Sequence, residues 1–144
     1  MIKSAVKSDA RILAELAIQM WKDSTVMDLE KGFDELIANE KAVCFIKYVD
    51  NKAIGFAQCQ LRTDYVEGTE TSPVGYLEGI FIVEKYRHSG YAKELLIECE
   101  KWAKEKNCSE FASDCELDNN DSLNFHIAMG FEEANRIICF RKDL

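Results

Sequence analysis

One carboxylate, Glu78, interrupts the apolar run from Tyr76 to Val83, and that run leads directly into Arg87-x-x-Gly90-x-Ala92. A buried carboxylate is costly unless it is paired or put to work. Two readings therefore stand for Glu78: a working group at a ligand, or a strand-edge glutamate bonded to a neighbouring amide or to Arg62. The turn that follows has the chemistry of an anion cradle. Glycine lets a ligand approach the backbone, and the amides at a helix N-terminus converge on negative charge, which suits a pyrophosphate. No Gly-Lys-Ser/Thr follows, so the turn is not a P-loop, and the three-glycine pattern of a dinucleotide fingerprint is missing. Asp114 ends a short strand-like stretch, the usual address of a site residue in an open α/β sheet. Its alternative is a cap for the segment from Cys115 to Asn120.

These groups need a scaffold, and the patterning supplies one. A short strand, Ile2 to Val6, precedes a helix capped at Ser8 or Asp9, with Ile12, Leu13, Leu16, Ala17 and Met20 at helical spacing and Trp21 closing it. Asp28 to Asn39 reads as a second helix interrupted at Gly32. Ala42 to Val49 and Ala53 to Leu61 read as a hairpin joined at Asp50, Asn51 and Lys52. After the polar stretch from Arg62 to Pro73 comes the strand Val74 to Val83. A helix from Gly90 to Lys106 places Ala92, Leu95, Leu96, Cys99 and Trp102 on one face. Ser109 to Asp114 is a short strand, and Asp118 to Asp121 cap a helix that runs to Met129, with Gly130 as its stop. From Phe131, with Ile137 to Phe140, the last strands follow. The pattern predicts an α/β fold of α+β type, a central mixed sheet flanked by about four helices, in one domain spanning 1–144.

Composition narrows the function classes. The formal net charge is −8, which disfavours binding to nucleic acid or to an anionic membrane surface. No apolar run approaches a membrane span, and the N-terminus lacks a signal-peptide core, so a cytoplasmic location is expected. The six cysteines form no C-x-x-C pair and mostly lie in apolar runs, which reads as reduced core thiols. Neither histidine has metal-ligand spacing to a cysteine or to the other histidine, so no metal site is expected.

The Arg87-x-x-Gly90-x-Ala92 turn resembles motif A of the GCN5-related N-acetyltransferases. Asn119, the helix through His126, and Met129-Gly130-Phe131 resemble motif B of that superfamily. The stretches Tyr65 to Ile80 and Glu110 to Asn119 are similar to the aminoglycoside 6′-N-acetyltransferases, and Trp21 is the main match in the first 60 residues. The resemblance implies a GCN5-related N-acetyltransferase-like fold and acetyl-CoA as the co-substrate. On it, backbone groups of Ile80, Phe81 and Ile82 would meet the pantetheine arm and the thioester. The turn Arg87, His88, Ser89, Gly90, Tyr91 and Ala92 would hold the pyrophosphate, and Asn119 would contact the cofactor arm. Trp21 and Tyr65 would wall the acceptor's sugar rings, with Glu70, Glu78 and Asp114 as acidic contacts. His126 stands where the superfamily usually carries a tyrosine that protonates the departing thiolate; this is a departure from the pattern.

The resemblance implies direct transfer of an acetyl group to the 6′-amine of a cationic aminoglycoside, with Asp114, Glu78 and His126 as the catalytic set, and so antibiotic resistance. It also implies a homodimer, with the Tyr65–Pro73 loop reaching across. The net negative charge suits a polycationic acceptor. Two rivals use the same parts: an acetyltransferase for a polyamine or protein amine, and a non-catalytic acyl-CoA sensor.

Overall fold

A computed structural model describes residues 1–144. Its sheet has five strands in the order β1-β2-β3-β4-β5. They are β1 (Ile2–Ser4), β2 (Ala42–Val49), β3 (Lys52–Arg62), β4 (Val74–Ile82) and β5 (Phe111–Ser113). The first four are antiparallel neighbours, and β5 joins β4 in parallel. Four α-helices accompany them: α1 (Ala10–Ala17), α2 (Val26–Ile37), α3 (Tyr91–Glu105) and α4 (Asn120–Ala128). No helix is long and apolar enough to cross a membrane.

The hairpin β2–β3 forms because Asp50 and Asn51 both accept positive φ, 48° and 62°, as a two-residue primed turn requires. Alternation along β2 then divides the core. Cys44 and Ile46 point into a cluster with Leu13, Leu16 and Phe33 of α1 and α2. Phe45 points the other way, into a cluster with Leu95, Leu96 and Cys99 of α3. Phe125 of α4 and Met129 just past its end cover that second cluster, so α1 and α2 lie on one face of the sheet and α3 and α4 on the other. Thr25 caps α2 by accepting from the Asp28 amide at 3.1 Å. The helix runs unbroken through Gly32, contrary to the expected interruption, because nothing within 4 Å crowds that position and the turns on either side are amphipathic.

All six cysteines are free, and Cys44, Cys59, Cys99 and Cys108 are buried as core thiols, while Cys115 and Cys139 are exposed. The chain from Phe131 to Leu144 carries no regular structure, where strands were expected. Ile137, Ile138 and Phe140 are largely exposed. A β-like apolar pattern becomes a strand only when a sheet edge completes its hydrogen bonds, and within this chain none does.

Candidate active site

The site is built around an irregularity in β4. Leu77 pairs with Cys59 and Gly79 with Gln58, so Glu78 is an extra residue, a β-bulge. The bulge changes which face the strand presents. Leu77 packs beneath α3, whereas a Cβ at Gly79 would face Trp21 and Met20 on the α1 side, 2.9 and 3.3 Å from their nearest atoms. Glycine is needed there because the Trp21 indole lies against the strand. Pairing of β4 with β5 stops at Leu77 and Ser113. From Glu78 to Ile82 the β5-side edge of β4 therefore has no strand partner, which leaves backbone groups for an extended ligand to pair with.

The turn between β4 and α3 completes this half of the site. His88 and Gly90 adopt positive φ, 62° and 82°, and a Cβ at Gly90 would meet nothing within 4 Å. Left-handed residues alternating with ordinary ones turn successive amides inward as a nest for anions. Glu94 is the first α3 residue whose amide donates back, to Gly90 at 3.1 Å. The amide of Arg87 donates to the Glu84 carbonyl at 3.1 Å, so it is already committed and the open amides begin at His88. The Arg87 side chain braces the turn instead, its Nε donating to the Ile82 carbonyl at 2.8 Å. These uncommitted amides, the free β4 edge and the open space at Gly90 fit a pyrophosphate-bearing ligand with an extended arm.

The other half is a cluster of four side chains. Arg62, at the end of β3, donates Nε and Nη2 to the two Glu78 oxygens at 2.9 and 2.8 Å. Its guanidinium carbon lies 3.4 Å from the centre of the Tyr76 ring. The Tyr76 hydroxyl donates to one oxygen of Asp114. Burial first, and then that bond, push the Tyr76 phenol above its ordinary pKa, so it remains a donor. The bond to Glu78 likewise raises Arg62, which stays cationic. The pairing with Arg62 that the sequence offered for Glu78 is present. Asp114 is exposed just beyond β5, with its second oxygen uncommitted.

The remaining candidates are distributed around this pair of half-sites. Trp21 meets Phe56 edge-on, with ring centres 6.0 Å apart, and lies over Gly79. Tyr65 is largely exposed, and its hydroxyl donates to Glu67 at 3.0 Å. Glu70 is exposed, with its amide donating to Glu110 at 3.0 Å, and no hydrogen bond links Tyr65 or Glu70 to Asp114. The Asn119 carboxamide oxygen caps α4 by accepting from the Ser122 amide at 3.1 Å, leaving its Nδ2 free. His126 is held at both nitrogens: Nδ1 lies 2.6 Å from the Ser122 carbonyl and Nε2 lies 2.8 Å from Ser113 Oγ. Ile80 is half-buried, while the Phe81 and Ile82 side chains belong to the core.

Sequence patterning did not single out Tyr76, and it offered Arg62 only as a possible partner of Glu78. The polar alternation Gln58, Gln60, Arg62 along β3 was the available signal for a polar face beside Glu78.

Comparison with known proteins agrees with this geometry. Residues 13–131 match the family model described as the acetyltransferase (GNAT) family. The aminoglycoside N(6′)-acetyltransferase type 1 of Acinetobacter haemolyticus is 39% identical over 143 residues, covering 99% of this chain and 98% of that protein. Among solved structures, aminoglycoside N-acetyltransferase AAC(6′)-Iy in complex with CoA superposes with a TM-score of 0.96 at 35% identity, covering 100% of this chain and 95% of that one. The same protein with the bisubstrate analogue CoA-S-monomethyl-acetylneamine gives 0.95 at 35% identity, covering 100% and 98%.

Proposed function

This chain belongs to the acetyltransferase (GNAT) family and, within it, to the aminoglycoside N(6′)-acetyltransferases, and we propose that Asp114 anchors the acceptor amine beside a donor held along β4. The enzyme transfers the acetyl group of acetyl-CoA to the 6′-amine of an aminoglycoside, an activity that confers resistance. The observation that carries the assignment of Asp114 is its uncommitted oxygen. Glu78 is neutralised by Arg62, whereas Asp114 accepts a single hydrogen bond and faces solvent.

The acceptor arrives as an ammonium ion and has no lone pair until it loses a proton. Asp114 draws the cation in and orients it, and its free oxygen accepts the proton, directly or through water, as nitrogen attacks. Acetyl-CoA supplies an activated thioester. Amides from His88 to Ala92 hold its pyrophosphate, and the unpaired edge of β4 from Glu78 to Ile82 holds its arm and stabilises the developing oxyanion. Trp21 walls the acceptor on the α1 side, and Tyr65 and Glu70 line its outer approach. The free Nδ2 of Asn119 contacts the donor's arm. His126, with Ser113 in front of it, is the source of the proton for the departing thiolate.

The working unit in this reading is one acetyltransferase domain in a cytoplasmic homodimer. The tail beyond Phe131 supports the dimer: its apolar residues lie uncovered, and β5 is a short edge strand. A second copy can cover both. The Tyr65–Pro73 loop and the tail are tied together, with Glu67 accepting from Asn135 at 2.8 Å, so both belong to the surface a second copy would cover. Light scattering of the intact protein tests the dimer, and a monomer at micromolar concentration refutes it.

Thiol release with kanamycin, spermidine and a peptide amine, measured side by side, tests the activity. Turnover is expected with kanamycin and not with its 6′-hydroxyl counterpart. Equal turnover of the two refutes acetylation at the 6′-amine.

A further inference from the structure

The carboxylates near the acceptor are not independent groups, because Arg62 ties one of them to the residue that holds the other. Its planar fork bridges Glu78 with Nε and Nη2 while its face rests on Tyr76, whose hydroxyl holds Asp114. We propose that Arg62 is a positioning residue of the acceptor site, setting through Tyr76 where Asp114 presents its free oxygen. The inference rests on the anchoring role given to Asp114 above.

Three observations carry it. Asp114 lies past the last paired residue of β5, so strand hydrogen bonds do not orient it, and its side chain has one partner, Tyr76. The Tyr76 ring is confined by Val66, Val74 and Ala112 and by the guanidinium 3.4 Å from its centre. The direction of its hydroxyl is thus fixed by packing and by Arg62 together. Finally, Arg62 cancels the charge of Glu78, whose side chain is 18% exposed, so the three ionised groups leave one net negative charge, at Asp114. Within this cluster a cationic acceptor meets one uncompensated carboxylate, Asp114. Lysine cannot reproduce this arrangement: it has no planar fork to bridge a carboxylate while stacking on a ring.

The test uses the full chain with R62K, Y76F, the double variant and D114N, read by steady-state kinetics with kanamycin and acetyl-CoA and by thermal melting. R62K and Y76F are each expected to raise the kanamycin KM about tenfold, the scale of one charge-assisted hydrogen bond. The acetyl-CoA KM is expected to stay unchanged. If Arg62 acts through Tyr76, the double variant is no worse than Y76F alone. Multiplicative losses in the double variant overturn the proposal, and so does a matching rise in the acetyl-CoA KM, which marks general loosening. Should R62K fail to fold, Y76F, which keeps the ring and its packing, decides by the same kanamycin readout. Parental kanamycin KM values for R62K and Y76F beside an impaired D114N overturn the role of Arg62 alone. A D114N enzyme as active as the parent overturns the anchoring role, and Arg62's with it.

Discussion

Gly90 and Gly130 form a matched pair for testing the anion cradle. Both have left-handed φ, 82° and 91°, and a Cβ at either would meet nothing within 4 Å. Alanine at each position therefore costs backbone strain without collision, about 1–2 kcal/mol. For a domain of this size that strain lowers Tm by about 4 °C per kcal/mol, so the two variants should melt at similar, reduced temperatures. Their surroundings differ. Gly90 opens α3 among the uncommitted amides, whereas Gly130 follows the C-terminal end of α4. A methyl group that keeps a pyrophosphate oxygen off one amide removes a hydrogen bond to a charged group, about 1.5–3 kcal/mol, or roughly 10- to 100-fold in affinity. Titration calorimetry with coenzyme A, alongside thermal melting, separates the two effects. G90A should lose affinity by that factor, while G130A should bind as the parent does. Equal affinity in the two variants would refute the cradle, whatever their melting temperatures.

The thiols and the N-terminal carboxylate give two further tests. Cys115 and Cys139 are exposed, while burial pushes the Cys44 thiol up to about 12 and raises Cys99 through its contact with Cys59. A thiol reagent should therefore modify only Cys115 and Cys139 before denaturation. Rapid labelling of Cys44 or Cys99 in the folded protein would contradict the packing. Asp9 is buried, which by itself raises its carboxyl pKa, but the Val6 amide at 2.8 Å and the Lys3 ammonium at 3.0 Å hold it below the usual value. Its stabilisation is complete above the unfolded value of about 3.9 and is lost as pH falls through the lower folded value. The Tm gap between the parent and D9N should hold from neutral pH to about 5 and narrow below about 4. A gap that persists unchanged in stronger acid would contradict this assignment.

Local rules made much of the scaffold readable. The Asp50–Asn51 turn and the alternation beside it located β2 and β3 almost to the residue. The step from an apolar strand through Gly90 to an amphipathic helix located β4 and α3. What escaped depends on partners distant in the chain. A run that is apolar at nearly every position offers no alternation for a bulge to break, so the extra residue at Glu78 is not legible in the sequence. The commitment of the Arg87 amide depends on the short helical turn from Glu84 to Tyr86, which the apolar pattern does not disclose. The apolar tail looks like a strand because its composition suits one, while the edge that would complete it is not within reach in its own chain. Glu78 was correctly marked as unusual, but composition could not tell a working carboxylate from one clamped by Arg62.

The bulge also lets β4 keep one register with β3 while carrying one residue more than its partner. Residues before Glu78 keep one pleat phase along the chain and residues after it keep the opposite one, so the strand behaves as two short strands joined by a crank. Removing residue 78 would leave Leu77 and Gly79 opposite Cys59 and Gln58, and Phe81 and Ile82 on the faces they now occupy, but would take away the carboxylate that holds Arg62. A deletion elsewhere in the strand would turn one set of side chains to the wrong face. Residue 78 is therefore the position of β4 that the scaffold can spare and the site cannot.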